Sequence, residues 1–127
     1  MIENEITKIC IDTAYKIHTK IGPGLLESAY QAILGYELSK RGLHVESEIP
    51  MPILYEDIKL DVGFRADLIV ENKVIIELKS IENVAEVHKK QLLTYLRISG
   101  LHVGLLINFG APLIKDGIFR IVNGFKE

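Results

Sequence analysis

Charged residues interrupt an aliphatic stretch at positions 65–79, and this stretch constrains the fold more than any other part of the sequence. Without Asp67, Glu77 and Lys79, it would be a β-hairpin rich in Leu, Ile and Val with a short polar turn. Side chains alternate between the two faces of a strand, so Glu77 and Lys79 project from the same face. Burying such groups among aliphatic neighbours is costly unless they hold a cation or one another.

The length of the turn decides where Asp67 lies. A three-residue turn at positions 71–73 pairs Val70 with Val74 and places Asp67 opposite Glu77, whereas a two-residue turn would send Asp67 to the other face. We predict the three-residue turn, which brings the two carboxylates together on one face of the sheet.

Length and composition indicate one domain over residues 1–127, with a single core. The single cysteine, Cys10, excludes a disulfide framework and is expected to be a small buried hydrophobe. No signal sequence or membrane-spanning apolar run is present, so a soluble cytoplasmic protein is expected. The net charge of -2 leaves nucleic-acid binding to local cations or metal ions. The apolar content of 48% suggests a surface covered by a partner subunit in a homo-oligomer.

Hydrophobic spacing predicts three helices and further strands around the hairpin. The helices are expected at about 3–20, 25–41 and 84–98, with glycines at or just beyond their ends. Residues 43–55 should be extended, but Pro50 and Pro52 favour an edge strand or a broken one. Residues 102–109 are typical of a fully buried strand, and 117–122 of a short last strand.

Two of these helices carry polar residues that fit a site beside the hairpin. Glu27 lies in the first turn of the second helix, where a favourable interaction with the helix dipole is an equally good explanation. His88, Gln91 and Tyr95 share one stripe of the third helix. They could be core-edge residues whose polar tips reach water or one another. Next to the charged strands, Gln91 and Tyr95 could instead hold a phosphate, a water molecule or Lys79.

The charged strand residues themselves favour metal-assisted chemistry on a phosphate. Asp67 and Glu77 supply the hard oxygen ligands that Mg²⁺ prefers, and Glu27 could complete the metal shell directly or through water. Lys79 would orient or help to deprotonate an attacking water and offset charge on the phosphate. The alternative is a cross-strand cluster of ion pairs without catalytic function. The sequence has no assignable Ser-His-Asp set, no Cys-His metal spacing and no phosphate-cradling glycine loop.

Several segments together resemble the GxxExxY proteins, which are assigned to the PD-(D/E)xK nuclease superfamily. Residues 24–30, Gly-Leu-Leu-Glu-Ser-Ala-Tyr, resemble the GxxExxY signature, and Asp67 followed by Glu-Leu-Lys at 77–79 resembles the superfamily motif. Segments 91–96 and 104–109 extend the resemblance over nearly the whole chain. One departure is Ala66, which stands where the motif has proline and affects turn geometry rather than chemistry.

The resemblance implies a restriction-endonuclease-like α/β fold, with a central mixed sheet flanked by helices. It makes Asp67 and Glu77 ligands of Mg²⁺, with Mn²⁺ as a substitute and the Leu78 carbonyl group available as a third ligand. Glu27 becomes an additional acidic residue of the site, and Lys79 becomes the residue that positions water.

The same resemblance makes Gln91 and Tyr95 supporting residues, on a helix similar to that of RecB-like nucleases. We therefore predict a Mg²⁺-dependent phosphodiester hydrolase that acts on nucleic acid, with DNA favoured over RNA. One alternative is a non-catalytic module that keeps the fold and binds nucleic acid or a protein partner, motivated by the acidic net charge. Another is hydrolysis of a small phosphorylated metabolite.

Overall fold

The computed structural model describes residues 1–124, except for the side chain of Val62, as helices packed around one mixed sheet. The elements in chain order are α1 (Glu3–Ile21), α2 (Glu27–Lys40), β1 (Val45–Tyr55), β2 (Ile58–Val70), β3 (Val74–Lys79), α3 (Glu86–Ser99), β4 (Val103–Asn108), a 3-10 turn (Ile114–Gly117) and β5 (Ile118–Val122). Within these residues, no helix has the length and apolar character needed to cross a membrane.

The five strands are ordered β1-β2-β3-β4-β5 across the sheet. β3 and β4 run parallel and are connected through α3, whereas the other neighbouring strands are antiparallel. Parallel strands need such a crossover connection, and a helix usually provides it. The mixed sheet flanked by helices confirms the predicted restriction-endonuclease-like α/β architecture.

The sheet separates two cores. α1 and α2 cover one face, where Leu78 is fully buried, and α3 covers the other, where Ile75 is fully buried. Because side chains alternate along a strand, Glu77 and Lys79 project on the same side as Ile75 and therefore towards α3. The fold thus carries the polar end of β3 to the face covered by α3, the helix that contains Gln91 and Tyr95.

The turn between β2 and β3 has the predicted length. Val70 pairs with Val74, and the pairing continues as a regular antiparallel ladder to Leu68 and Ile76. Glu71 and Asn72 in the turn adopt left-handed φ angles of 54° and 55°. The predicted register is therefore confirmed, and it brings Asp67 towards Glu77.

The predicted element boundaries differ from the structure in a few places. α2 begins at Glu27 rather than near residue 25, and α3 begins at Glu86 rather than near residue 84. β2 begins at Ile58, earlier than the charged stretch alone indicated. As the prolines predicted, β1 is an edge strand, and its register on β2 shifts between Met51 and Ile53.

The thiol of Cys10 should be inert in the folded protein. Cys10 is fully buried in the core beneath α1, and burial raises the pKa of its thiol to about 12. Since the thiolate is the reactive form, we expect no reaction with Ellman's reagent at pH 8 and one equivalent of reaction in guanidinium chloride. Absorbance of the released thionitrobenzoate measures both, and rapid labelling without denaturant would contradict the burial.

Candidate active site

The candidate site lies where β2 and β3 separate. Beyond the pair Leu68 and Ile76, the backbone N–H of Asp67 donates to Glu77 Oε2 at 3.2 Å. The backbone N–H of Leu78 donates to Asp67 Oδ2 at 2.8 Å. Side-chain carboxylates therefore serve as the acceptors where main-chain carbonyl groups would continue a ladder. The strands spread at this point, and the two acids lie side by side in the gap.

The alternation of side chains along β2 breaks at Asp67. Ala66 packs in the core beneath α3, whereas Leu68, two residues later, packs in the core beneath α1 and α2. Opposite Asp67 on β1 stands Glu48, which has a left-handed φ of 54° and falls between two regular pairs of the ladder. Such a backbone conformation is uncommon for a residue other than glycine. The irregular backbone of β1 thus lies opposite the residue that carries the first carboxylate.

A cavity of about 180 Å³ opens at this gap, on the face covered by α3. Polar and charged side chains from β2, β3, α2 and α3 dominate its lining, together with two leucines. The lining residues are Glu27, Arg65, Asp67, Glu77, Lys79, His88, Gln91, Leu92, Tyr95 and Leu106. All six side chains predicted for the site thus lie around one cavity. The side chain of Leu78 lies in the opposite core, as alternation requires.

Tyr30 holds the loop that precedes α2. Its hydroxyl accepts hydrogen bonds from the backbone N–H groups of Gly24 and Leu25, at 2.9 and 3.1 Å, and donates one to the carbonyl oxygen of Gly22 at 2.5 Å. Its ring stacks on Phe109, with centroids 4.5 Å apart. In the Gly-x-x-Glu-x-x-Tyr segment, Tyr30 therefore holds the backbone at Gly24 in place.

The same loop is tied to the end of β3, and this connection places Glu27 at the cavity. The hydroxyl of Ser80, directly after Lys79, donates to the carbonyl oxygen of Leu25 at 2.7 Å. Glu27 is half-buried, and burial raises the pKa of its carboxyl group. The positive charge of Lys79 opposes this shift, and the negative charge of Asp67 reinforces it. Glu27 therefore interacts electrostatically with charged residues of both β2 and β3.

Loss of the Tyr30 hydroxyl should loosen this loop. Tyr30→Phe keeps the stacked ring but leaves two partly buried N–H groups without their acceptor, so we expect the free energy of unfolding to fall by about 2 kcal/mol. Urea denaturation followed by circular dichroism measures the change. Tyr36→Phe is the matched control, because Tyr36 is 63% exposed and its substitution should leave stability unchanged. Equal stability of Tyr30→Phe and the wild type would contradict this role.

α3 supplies the opposite wall of the cavity. The Tyr95 ring stacks on Phe64 of β2 with centroids 3.7 Å apart, and burial, reinforced by Glu77 and Asp67, raises the pKa of its hydroxyl. Gln91 lies one helical turn earlier and is exposed at the edge of the cavity. Both predicted supporting residues therefore face the acidic pair.

Sequence reasoning had not assigned a role to two polar lining residues, Arg65 and His88. His88 lies three residues before Gln91 on the same stripe of α3. This spacing is the sequence feature that indicated a place for His88 in the site. Its Nδ1 accepts a hydrogen bond from the backbone N–H of Ala85 at 3.0 Å, so Nε2 carries the proton and is free to donate. Arg65 precedes Asp67 by two residues on β2, and this spacing could have revealed it.

Glu77 is the most perturbed acid of the cavity. Burial, and secondly the neighbouring Asp67, raise the pKa of its carboxyl group to about 9. Two adjacent carboxylates that cannot both ionise easily are a donor set that a divalent cation would neutralise. Among residues 1–124, no three acidic, histidine or cysteine side chains form a ready-made metal cluster. The fit therefore rests on the Asp67 and Glu77 pair, with Glu27 across the same cavity.

Lys79 does not neutralise the acidic pair by direct contact. It is half-buried in the cavity wall, and none of the ion pairs within 4.0 Å in the described part of the chain involves it. A cross-strand cluster of ion pairs, the structural alternative for these residues, would have required such contacts. The Lys79 ammonium group is instead left available to another ligand in the cavity.

Comparison with protein-family models identifies the superfamily of the chain. The model for the PD-(D/E)XK nuclease superfamily matches residues 4–121, so the chain belongs to that superfamily. Its members are generally nucleases and typically use divalent metal ions. A search of curated proteins and a search of solved structures found no match. Membership supports a hydrolase of the nuclease type, with nucleic acid as its class of substrate.

Proposed function

We propose that the protein is a Mg²⁺-dependent phosphodiester hydrolase that acts on nucleic acid, with DNA favoured over RNA. The observation that carries this proposal is the meeting of Asp67, Glu77 and Lys79 in one cavity, with Glu27 facing them from α2. Superfamily membership supports the reaction class. We include in the proposal that residues 1–127 form one domain and that the protein works in the cytoplasm.

Within the superfamily, we place the chain among the GxxExxY proteins. The support comes from the structure as well as from the sequence motif, because Glu27 lines the cavity and Tyr30 holds the loop that contains Gly24. The likeness of α3 to the helix of RecB-like nucleases is supported by Gln91 and Tyr95, which line the same cavity.

Asp67 and Glu77 would hold the metal ion, with the Leu78 carbonyl group and Glu27, directly or through water, as further ligands. When bound, the ion would polarise the phosphoryl oxygen and lower the pKa of a coordinated water. Mn²⁺ should substitute for Mg²⁺, because the oxygen ligands suit both ions.

The remaining residues act on water and phosphate. Lys79 orients the attacking water and offsets the negative charge that grows on the phosphate as the new P–O bond forms and the old one breaks. The Gln91 amide and the Tyr95 hydroxyl can donate hydrogen bonds to a phosphate oxygen or accept one from the water or from Lys79. Hydrolysis leaves one product with a phosphate end and the other with a hydroxyl end.

Incubation of the purified protein with single-stranded, duplex and branched DNA and RNA tests the proposal. Each substrate is combined with Mg²⁺, Mn²⁺ or EDTA, and products are separated by electrophoresis. We expect cleavage with either ion, none with EDTA, and recovery when excess Mg²⁺ is added. Cleavage that EDTA does not affect would refute the metal dependence.

Calorimetric titration separates the enzyme from a non-catalytic module with the same fold. An enzyme of this kind should bind Mg²⁺ or Mn²⁺ at about millimolar concentration or below. Absence of binding at that concentration, together with absence of cleavage, would favour the non-catalytic module.

A further inference from the structure

We infer that Arg65 binds a phosphate of the nucleic-acid strand adjacent to the phosphate that is cleaved. This inference rests on the proposed function and extends it to how the substrate is held. Arg65 lines the cavity but is itself exposed, whereas Asp67, Glu77 and Lys79 are half-buried. Arg65 therefore stands at the rim, where a strand would leave the reaction centre.

The guanidinium group of Arg65 is not engaged by the protein. In the described part of the chain it has no ion pair, hydrogen bond or ring contact. The two cavity acids on its own hairpin have backbone donors, since Asp67 accepts from the Leu78 N–H and Glu77 accepts from the Asp67 N–H. By contrast, Arg41 pairs with Glu37 at 3.2 Å. Arg65 is thus free to bind an external anion.

The balance of charges in the cavity also supports a role for Arg65 in binding phosphate. Once a divalent ion has displaced the proton of Glu77, the cavity would contain three carboxylates, those of Glu27, Asp67 and Glu77, which repel a phosphodiester. A divalent ion and Lys79 would together just neutralise these three groups. Arg65 is the residue that would make the loaded site positive and so attract the anionic strand.

The position of Arg65 along β2 selects which phosphate it contacts. Two residues of a strand span about 7 Å, so Arg65 lies about that far from Asp67 along the hairpin. This length is comparable with the separation of neighbouring phosphates in a nucleic-acid strand. A phosphate at the acidic pair would therefore place the next one near Arg65, whose planar guanidinium can bind two of its oxygens.

Binding is tested by fluorescence anisotropy of a labelled single-stranded oligonucleotide, with Mg²⁺ and in a Lys79→Ala background to suppress cleavage. We expect Arg65→Gln to weaken affinity about tenfold and to reduce the slope of log K against log salt by about one. Arg97→Gln is the matched control, because Arg97 is exposed and lies outside the cavity. Equal affinities and slopes for the two variants would overturn the inference.

Hydrolysis tests which phosphate is involved. Bis(4-nitrophenyl) phosphate has only the scissile phosphate, so Arg65→Gln should lower its kcat/KM less than about twofold. The same substitution should lower kcat/KM for an oligonucleotide about tenfold, as expected for one lost phosphate contact. An equal loss on both substrates would place Arg65 at the scissile phosphate instead and overturn the inference.

The two proposals can fail separately. If the wild type binds the oligonucleotide but cleaves neither substrate, the proposed hydrolase is wrong, and the anisotropy comparison still decides whether Arg65 binds phosphate. If the wild type cleaves both substrates and Arg65→Gln behaves like Arg97→Gln, the inference alone is wrong. If the wild type neither binds nor cleaves, both proposals are overturned. Unchanged thermal unfolding of Arg65→Gln, expected for an exposed side chain, excludes misfolding as the cause.

Discussion

Lys79→Ala should lower kcat for nucleic-acid hydrolysis by about a hundredfold or more, because it removes a positive charge placed against the developing charge of the transition state. The Lys79 ammonium group lines the cavity two residues after Glu77 and has no ion-pair partner within 4.0 Å in the described residues. Its loss should therefore leave folding nearly unchanged. Metal affinity, measured by calorimetry with Mn²⁺, should not weaken, because no ligand is removed.

The control for this variant is Lys115→Ala. Lys115 is exposed on the 3-10 turn and lies outside the cavity, so its removal should change kcat less than about twofold. Initial rates at saturating substrate, with equal amounts of folded protein, give the comparison. Cleavage that survives both Lys79→Ala and Glu77→Gln would show that the activity does not come from this cavity.

Glu77→Gln should stabilise the metal-free protein at pH 8 by about 2–4 kcal/mol. Burial and the neighbouring Asp67 raise the pKa of the Glu77 carboxyl group to about 9, from an ordinary value of 4.5. The folded protein therefore retains a proton that the unfolded chain releases. The resulting stability is fully present below about pH 4.5 and is lost as pH rises towards 9, at about 1.4 kcal/mol per pH unit. Glutamine has no charge to bury and keeps an oxygen acceptor for the Asp67 N–H.

Urea denaturation in EDTA at pH 5, 7 and 8 measures this effect. The difference in free energy of unfolding between Glu77→Gln and the wild type should widen as pH rises, which isolates Glu77 from other titrating groups. Addition of Mg²⁺ should stabilise the wild type and leave Glu77→Gln almost unaffected. Glu82→Gln, at an exposed position outside the cavity, should show neither effect. A difference that is constant across pH would contradict the burial of an ionisable pair.

Much of the site could be predicted because local rules determine it. The length of the turn at 71–73 fixes the register of Asp67 against Glu77, and strand alternation puts Lys79 beside Glu77. Helical spacing similarly groups Gln91 with Tyr95. These relations involve residues close in sequence or related by one hairpin, so tertiary packing has little opportunity to change them.

Other features depend on contacts that no local pattern encodes. The spreading of β2 and β3 accompanies the replacement of carbonyl groups by carboxylates as acceptors, and the change of faces at Asp67 lies opposite the left-handed Glu48 of another strand. The hydrogen bonds of Tyr30 go to main-chain groups, which carry no signature in the sequence. Self-association, expected from the apolar content, remains a prediction.

The carboxylate hydrogen bonds between β2 and β3 have a practical consequence for the design of an inactive protein that binds intact substrate. Asp67 and Glu77 accept hydrogen bonds from backbone N–H groups that would otherwise lack a partner. Alanine at either position therefore removes a hydrogen bond between β2 and β3 together with the proposed metal ligand. Asp67→Asn keeps a carbonyl oxygen for the Leu78 N–H while it discards the charge. An inactive protein intended for crystals with intact nucleic acid should therefore carry Asn at position 67 or Gln at position 77. These amide side chains remove the charge needed for the reaction but keep the hydrogen bonds between β2 and β3.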